Sequence, residues 1–243
     1  VRNPWGWLPA LVFARREEFV RTWQLLACRG EPQPVPASMG ASLVRGAINW
    51  GRLRAHTAAL LRENPRLSAN EALAAVSAKP ELYRDRLILA CRGSYSGIPT
   101  PAGFSPKAWL ACSLRLRLAH EAVHDFTVRA FGQLGHTVQE ELVADWWGLV
   151  QALGRYDPFL AKVFLGVENP GSFRPGGRLA NYQGTPPLST AAFRVLAELA
   201  AKAVDTLATL PPPSPPEAPA ALAALLSTSL EELAAGLVRR AWV

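Results

Sequence analysis

The chain has 243 residues, 49% apolar and 19% charged, with eight tryptophans and a formal net charge of +7. That length and balance suit a globular chain with a sizeable core and exclude a disordered, fibrous or low-complexity class. The positive charge is scattered arginine, the lysines being Lys79, Lys107, Lys162 and Lys202, and no run of five or six like charges occurs, so nucleic acid is not expected as a partner.

Helical patterns dominate along the chain. "PALVFARREEFVRTWQLLACRG" opens with Pro9 near a first turn, carries apolar residues at helical spacing and stops at Gly30. After the Pro-rich "EPQPVP", the stretch "SMGASLVRGAINWGRLRAHTAALLRENP" reads as a second helix, intact or broken near Gly46 or Gly51. "SANEALAAVSA" starts with a capping box, Ser68 with Glu71, and Pro80 begins a further helix reaching Cys91. A long helix follows, with Ser105 as N-cap, Pro106 at its first position and Gly132 at its end. The "TVQE" of Thr137 and Glu140 is a second capping box that opens another helix, and Asp157 caps a short one in "DPFLAKVFLG". Beyond the irregular, Gly/Pro/Arg-rich "VENPGSFRPGGRLANYQGTPP" come two Ala/Leu-rich helices joined by "PPPSPPEAP".

The expected architecture is therefore mainly α with little or no sheet. Residues 1–210 form the main helical domain, 211–219 a Pro-rich linker, and 220–243 a C-terminal helix packed on the same domain. One echo interrupts the series. "ACRG" at Ala27–Gly30 recurs at Ala90–Gly93, each followed by a Pro-bearing loop and a glycine, Gly40 and Gly103. It reads either as two similar helix–loop–helix corners or as an old duplication whose loops flank one cleft.

Chemistry concentrates in "LAHEAVHDF", residues 118–126. His120 and His124 are four apart, so a helix directs both imidazoles to one point, and Glu121 projects where it can reach a water at that point. A third ligand is needed. Glu140 is already used by its capping box, which leaves Glu141, with Asp145 one turn further along the same face to accept an N–H from a ligand imidazole. His136, near the turn between the two helices, is a further metal candidate. The bland alternative is a pair of hydrogen-bonded helix histidines beside a solvated acidic face; Phe126, Leu142, Val143, Trp146 and Trp147 speak against it, because ionisable groups are rarely placed in such apolar company without partners. A di-iron helical bundle would need a second Glu-x-x-His unit, which the chain lacks. Asp125 could orient a neighbouring side chain but reads more readily as an exposed helix residue, and Cys112 reads as core packing.

Over residues 105–150 the chain resembles the gluzincin zinc metallopeptidases, in which HExxH on one helix is completed by the Glu of an ExxxD-type motif on the next. The resemblance implies a zincin-like helical domain with Zn2+ held between two consecutive helices by His120, His124 and Glu141. It also implies Glu121 as general base, Asp145 behind a ligand imidazole, and a peptide or protein substrate. Further donors that could stabilise a transition state are His136, Tyr156, Arg178 and Tyr182. The alternative function is a non-catalytic helical protein with a structural metal site or a partner-binding role. Three cysteines that cannot all pair, an opening "VRNPWGWLPA" without a signal-like apolar run, and no membrane-length apolar stretch lead to the expectation of a cytoplasmic protein with no membrane partner.

Overall fold

The computed structural model describes residues 1–135 and 137–238. A two-residue hairpin of β1 (Arg2–Asn3) and β2 (Gly6–Trp7) leads into β3 (Ala10–Phe13) and α1 (Arg16–Ala27). Then come β4 (Ala41–Ile48), α2 (Trp50–Glu63), α3 (Ala69–Ser77) and β5 (Arg84–Cys91). The rest is helical: α4 (Pro106–Phe131), α5 (Val138–Leu153), α6 (Pro158–Leu165), α7 (Thr190–Ala208), α8 (Ala218–Leu226) and α9 (Leu230–Ala234). No helix among the described residues is long and apolar enough to cross a membrane.

The domain is mainly helical, but the expectation of little or no sheet is corrected. A three-stranded sheet of order β3-β5-β4 is present, with β3 parallel and β4 antiparallel to the central β5. Each strand lies inside a stretch that reads as helix. Residues 10–13 precede α1, residues 41–48 precede α2, and the helix expected from Pro80 to Cys91 is one 3-10 turn (Pro80–Leu82) followed by β5. Successive side chains of a strand face opposite ways, and both faces of β5 are covered. Leu89 and Cys91 pack with Phe19 of α1, whereas Ile88 and Ala90 face Leu114 and Leu118 of α4. A strand buried on both sides has no polar face to alternate with, so "LILAC" carries no period-two signature. In β4 the alternation breaks at a bulge between Arg45 and Ala47, where Gly46 takes φ +80°, a conformation open to glycine.

The helical expectations hold from α4 onward. Ser105 caps α4 with Pro106 in its first turn, and Gly132 ends it in the left-handed region. The capping boxes of α3 and α5 and the Asp157 cap of α6 are all present. The last Ala/Leu-rich stretch is two helices, because Ser229 starts a new capping box with Glu232. Helix α4 lies between the sheet on one side and α5 and α8 on the other; α9 packs on α7. The main core is built on Trp109, Leu116, Leu142, Trp146 and Leu149, all wholly buried.

One close approach fixes the segment that enters the site from the C-terminal half. Gly166 ends α6 with φ +84°, and Gly177 rests directly on it: a Cβ at Gly177 would stand 2.3 Å from Leu165 O and 2.6 Å from Gly166 Cα. Backbone cannot yield there as a flexible side chain can. Gly177→Ala is expected to lower stability by about 1–3 kcal/mol, the usual cost of overpacking, measured as a reduced urea midpoint with an unchanged slope.

Candidate metal centre

Helix α4 sets two of the donors. His120 and His124 share its inner face, with their Nε2 atoms 3.1 Å apart. Helix α5 sets the third. Glu140 is held by its capping box and also accepts the Gly135 N–H, which fixes the turn at the start of the helix. Glu141, the next residue, turns into the site from the first turn, where the helix dipole favours an ionised carboxylate. Its Oε2 is 3.4 Å from His120 Nε2, and its Oε1 is 3.4 Å from His124 Nε2. Donors of a tetrahedral zinc site, each 2.0–2.2 Å from the ion, stand about 3.3 Å from one another. The three described donor groups thus have the spacing of three corners of such a site, and they form a cluster able to coordinate a metal ion, all within 4.8 Å.

Asp145, wholly buried one turn along α5, determines which nitrogen of His120 faces that cluster. Its Oδ1 is 2.9 Å from His120 Nδ1, and its Oδ2 is ion-paired with Arg178. An ionised carboxylate only accepts, so the proton of this contact belongs to Nδ1, and Nε2 is the nitrogen turned toward His124 and Glu141. Burial opposes ionisation of Asp145, but the Arg178 guanidinium and His120 hold its carboxyl below the usual range. Burial likewise opposes ionisation of Glu141 and is outweighed by the charges and hydrogen bonds of His120 and His124, which keep it well below. Burial opposes charge on His120 as well, yet Glu141 and Asp145 push its pKa up to about 10. The field that holds a proton there also favours a cation.

Tyr95 completes this arrangement and is absent from the sequence-based set. It lies in a 3-10 turn (Tyr95–Gly97) after β5, with its hydroxyl 2.6 Å from Asp145 Oδ1 and 3.0 Å from His120 Nδ1. The segment "GSYSG" shows only turn composition; the one local peculiarity, φ +50° at Ser96, is a property of the backbone and not of the letters.

The other expected residues are placed unequally. Glu121 lines a cavity of ≈ 560 Å3 together with the His120/His124/Glu141 cluster, and its charge acts on Arg117 one turn earlier. Arg178 and Tyr182, on a 3-10 turn (Arg178–Tyr182), line the same cavity. Burial, followed by the charge of Glu141, pushes the Tyr182 phenol well above its ordinary value. Tyr156 does not line it; its ring packs on the helical core, and its buried hydroxyl has no hydrogen-bond partner among the described residues. His136 lies outside the described residues. Asp125 is a correction: it is wholly buried, 3.3 Å from Arg86 of β5 and 2.6 Å from Arg129, and ties α4 to the sheet. Cys112 is buried in the core as expected.

Residues 2–236 match the model of a family described as "Family of unknown function (DUF7005)". The chain belongs to this family. No curated protein and no solved structure matches it. What this family member offers functionally therefore rests on the geometry of its own side chains.

Because His120 must lose its proton before Nε2 can donate, a divalent cation entering this cluster would compete with protons. With His120 at about 10 in the metal-free state, apparent Zn2+ affinity is expected to rise with pH between 6 and 9. The slope should be about tenfold per unit for the one proton displaced, measured by competition with a chromophoric chelator. The His124→Ala variant should lose the site.

Proposed function

We propose that the chain is a zinc-dependent hydrolase of the metallopeptidase type, acting on a peptide or protein through water activated by Glu121. One observation supports the reading: His120, His124 and Glu141 converge on the wall of a cavity that also holds Glu121, a carboxylate outside the ligand set. A structural zinc site is normally closed by four protein ligands, whereas a catalytic one keeps a position open.

His120, His124 and Glu141 would hold the ion, and two imidazoles with one carboxylate suit zinc better than the all-oxygen cages of calcium or magnesium. Bound there, Zn2+ would supply Lewis-acid polarisation of a carbonyl and a lowered pKa for water. Asp145 holds His120 in the donating tautomer. Glu121 is the residue left to accept a proton from water and return it to the leaving amine. Arg178 is committed to Asp145 and Tyr95, so of the two described candidates that line the cavity we assign Tyr182 to face the oxygen on which charge would develop. We assign residues 1–210 to the metal-binding domain, with 220–243 attached through the Pro-rich segment. Free Cys28, Cys91 and Cys112 suit a reducing compartment, which we take to be the cytoplasm.

A second reading, a non-catalytic helical protein with a structural metal, is favoured by the depth of the cluster. It joins α4 to α5, the most extensively packed pair of helices, and His120 is only 5% exposed. The two readings part on one substitution. In the hydrolase, Glu121→Gln keeps about one Zn2+ per chain and loses about 10²–10⁴-fold in peptide hydrolysis, measured on a mixed peptide library by mass spectrometry. A fully zinc-loaded wild type that cleaves nothing, and whose melting temperature falls on chelation, would instead establish the structural role.

A further inference from the structure

The hydroxyl of Tyr95 sits where three charged groups of the site meet. Besides its contacts to Asp145 Oδ1 at 2.6 Å and His120 Nδ1 at 3.0 Å, it accepts from Arg178 Nη1 at 3.0 Å. The ring is buried between two guanidinium groups, those of Arg117 and Arg178, at 5.7 and 5.1 Å from its centroid. The turn that carries it is fastened to α4. Tyr95 N–H donates to Ser113 Oγ, and Arg117 donates to the carbonyls of Gly93 and Ser94. Helix α4 therefore positions the tyrosine that faces its own metal-ligating histidine.

We infer that Tyr95 is a positioning residue for the metal centre: through Asp145, its hydroxyl holds His120 with Nε2 turned to the ion. The inference rests on the metal-binding reading of His120, His124 and Glu141. A phenol has one proton, and the short contact to an ionised acceptor places it on Asp145. Arg178 occupies the phenol oxygen as a donor. His120 Nδ1 then faces two oxygens, neither of which has a proton to give it, and must itself carry one. Removing the hydroxyl takes away one of these oxygens. It also takes from Asp145 one of the three donors that fix its carboxylate plane. The alternative, that Tyr95 only fills volume, makes a different forecast, because phenylalanine fills nearly the same space.

The test is a double-mutant cycle on the full chain, read as Zn2+ affinity by chelator competition. Tyr95→Phe is expected to weaken Zn2+ binding about 10–100-fold, the range for groups that orient a ligand imidazole. In an Asp145→Asn background the same substitution should cost clearly less than it does alone, because the route through Asp145 is gone and only the direct contact with His120 is left. Ser113→Ala, which releases the turn without touching the network, should weaken binding in the same direction and lose its effect in the same background; it decides the matter if Tyr95→Phe does not fold. Wild-type zinc binding with Tyr95→Phe within about threefold of it, or losses that simply add to those of Asp145→Asn, would overturn the inference alone. A wild type that takes no zinc would overturn it together with the metal site.

Discussion

Asp145 has no contact with solvent, yet it is met by donors from three separate stretches of chain. These are His120 from α4, Tyr95 from the turn after β5, and Arg178 from the turn that follows the Gly166–Gly177 contact. An ionised carboxylate withdrawn from water costs several kcal/mol, on the order of what a small domain has in total, unless hydrogen bonds and an opposite charge replace the lost solvent. The three donors must therefore arrive together. That requirement couples the packing of α4, the end of the sheet and the irregular segment after α6 to one point on α5.

The surrounding core makes this coupling rigid. Helices α4 and α5 approach closely because α5 has small residues where they meet: Ala144 is wholly buried, and a Cβ on Gly148 would stand 3.1 Å from Leu116 O. Trp146 and Leu142 on the same helix are wholly buried in the main core. Close-packed apolar interiors resist small displacements, so the distance between the histidines of α4 and Glu141 of α5 is set by packing well outside the charged cluster. A cluster of like donors 3.1–3.4 Å apart would otherwise spread, since nothing but a shared proton or cation draws two imidazoles and a carboxylate together.

The parts of this arrangement that come from local sequence are legible in it. Ser105-Pro106 and Thr137-Glu140 mark where α4 and α5 begin. The four-residue steps from His120 to His124 and from Glu141 to Asp145 place each pair on one helix face. What depends on distant contacts is not legible. Tyr95 is 25 residues from His120 and 50 from Asp145, and no spacing rule connects a turn residue to two helices. The strands fail for a different reason. Residues 84–91 are covered by α1 on one side and α4 on the other, and residues 41–48 carry a bulge, so neither keeps the alternation by which a half-buried strand is recognised. Their apolar residues then merge with the helical patterns beside them.

The sheet also explains the echo between "ACRG" at 27–30 and at 90–93. The same four residues end a helix in one copy and a strand in the other, so they do not impose a common local structure. The loops that follow nevertheless border one cavity, Pro36 to Gly40 on one side and Tyr95–Ser96 on the other. The antiparallel register is the cause. Ala41 pairs with Ala90, so the loop entering β4 and the loop leaving β5 must emerge at the same end of the sheet. Arg117 rises from α4 into the gap between them. It binds the carbonyls of Gly93 and Ser94 from one side, and on the other it packs so tightly on Gly40 that a Cβ there would lie 2.4 Å from its Nε. The glycine in the first loop thus leaves room for the arginine that fastens the second. The cavity wall and the position of Tyr95 both follow from two strands running in opposite directions over one helix.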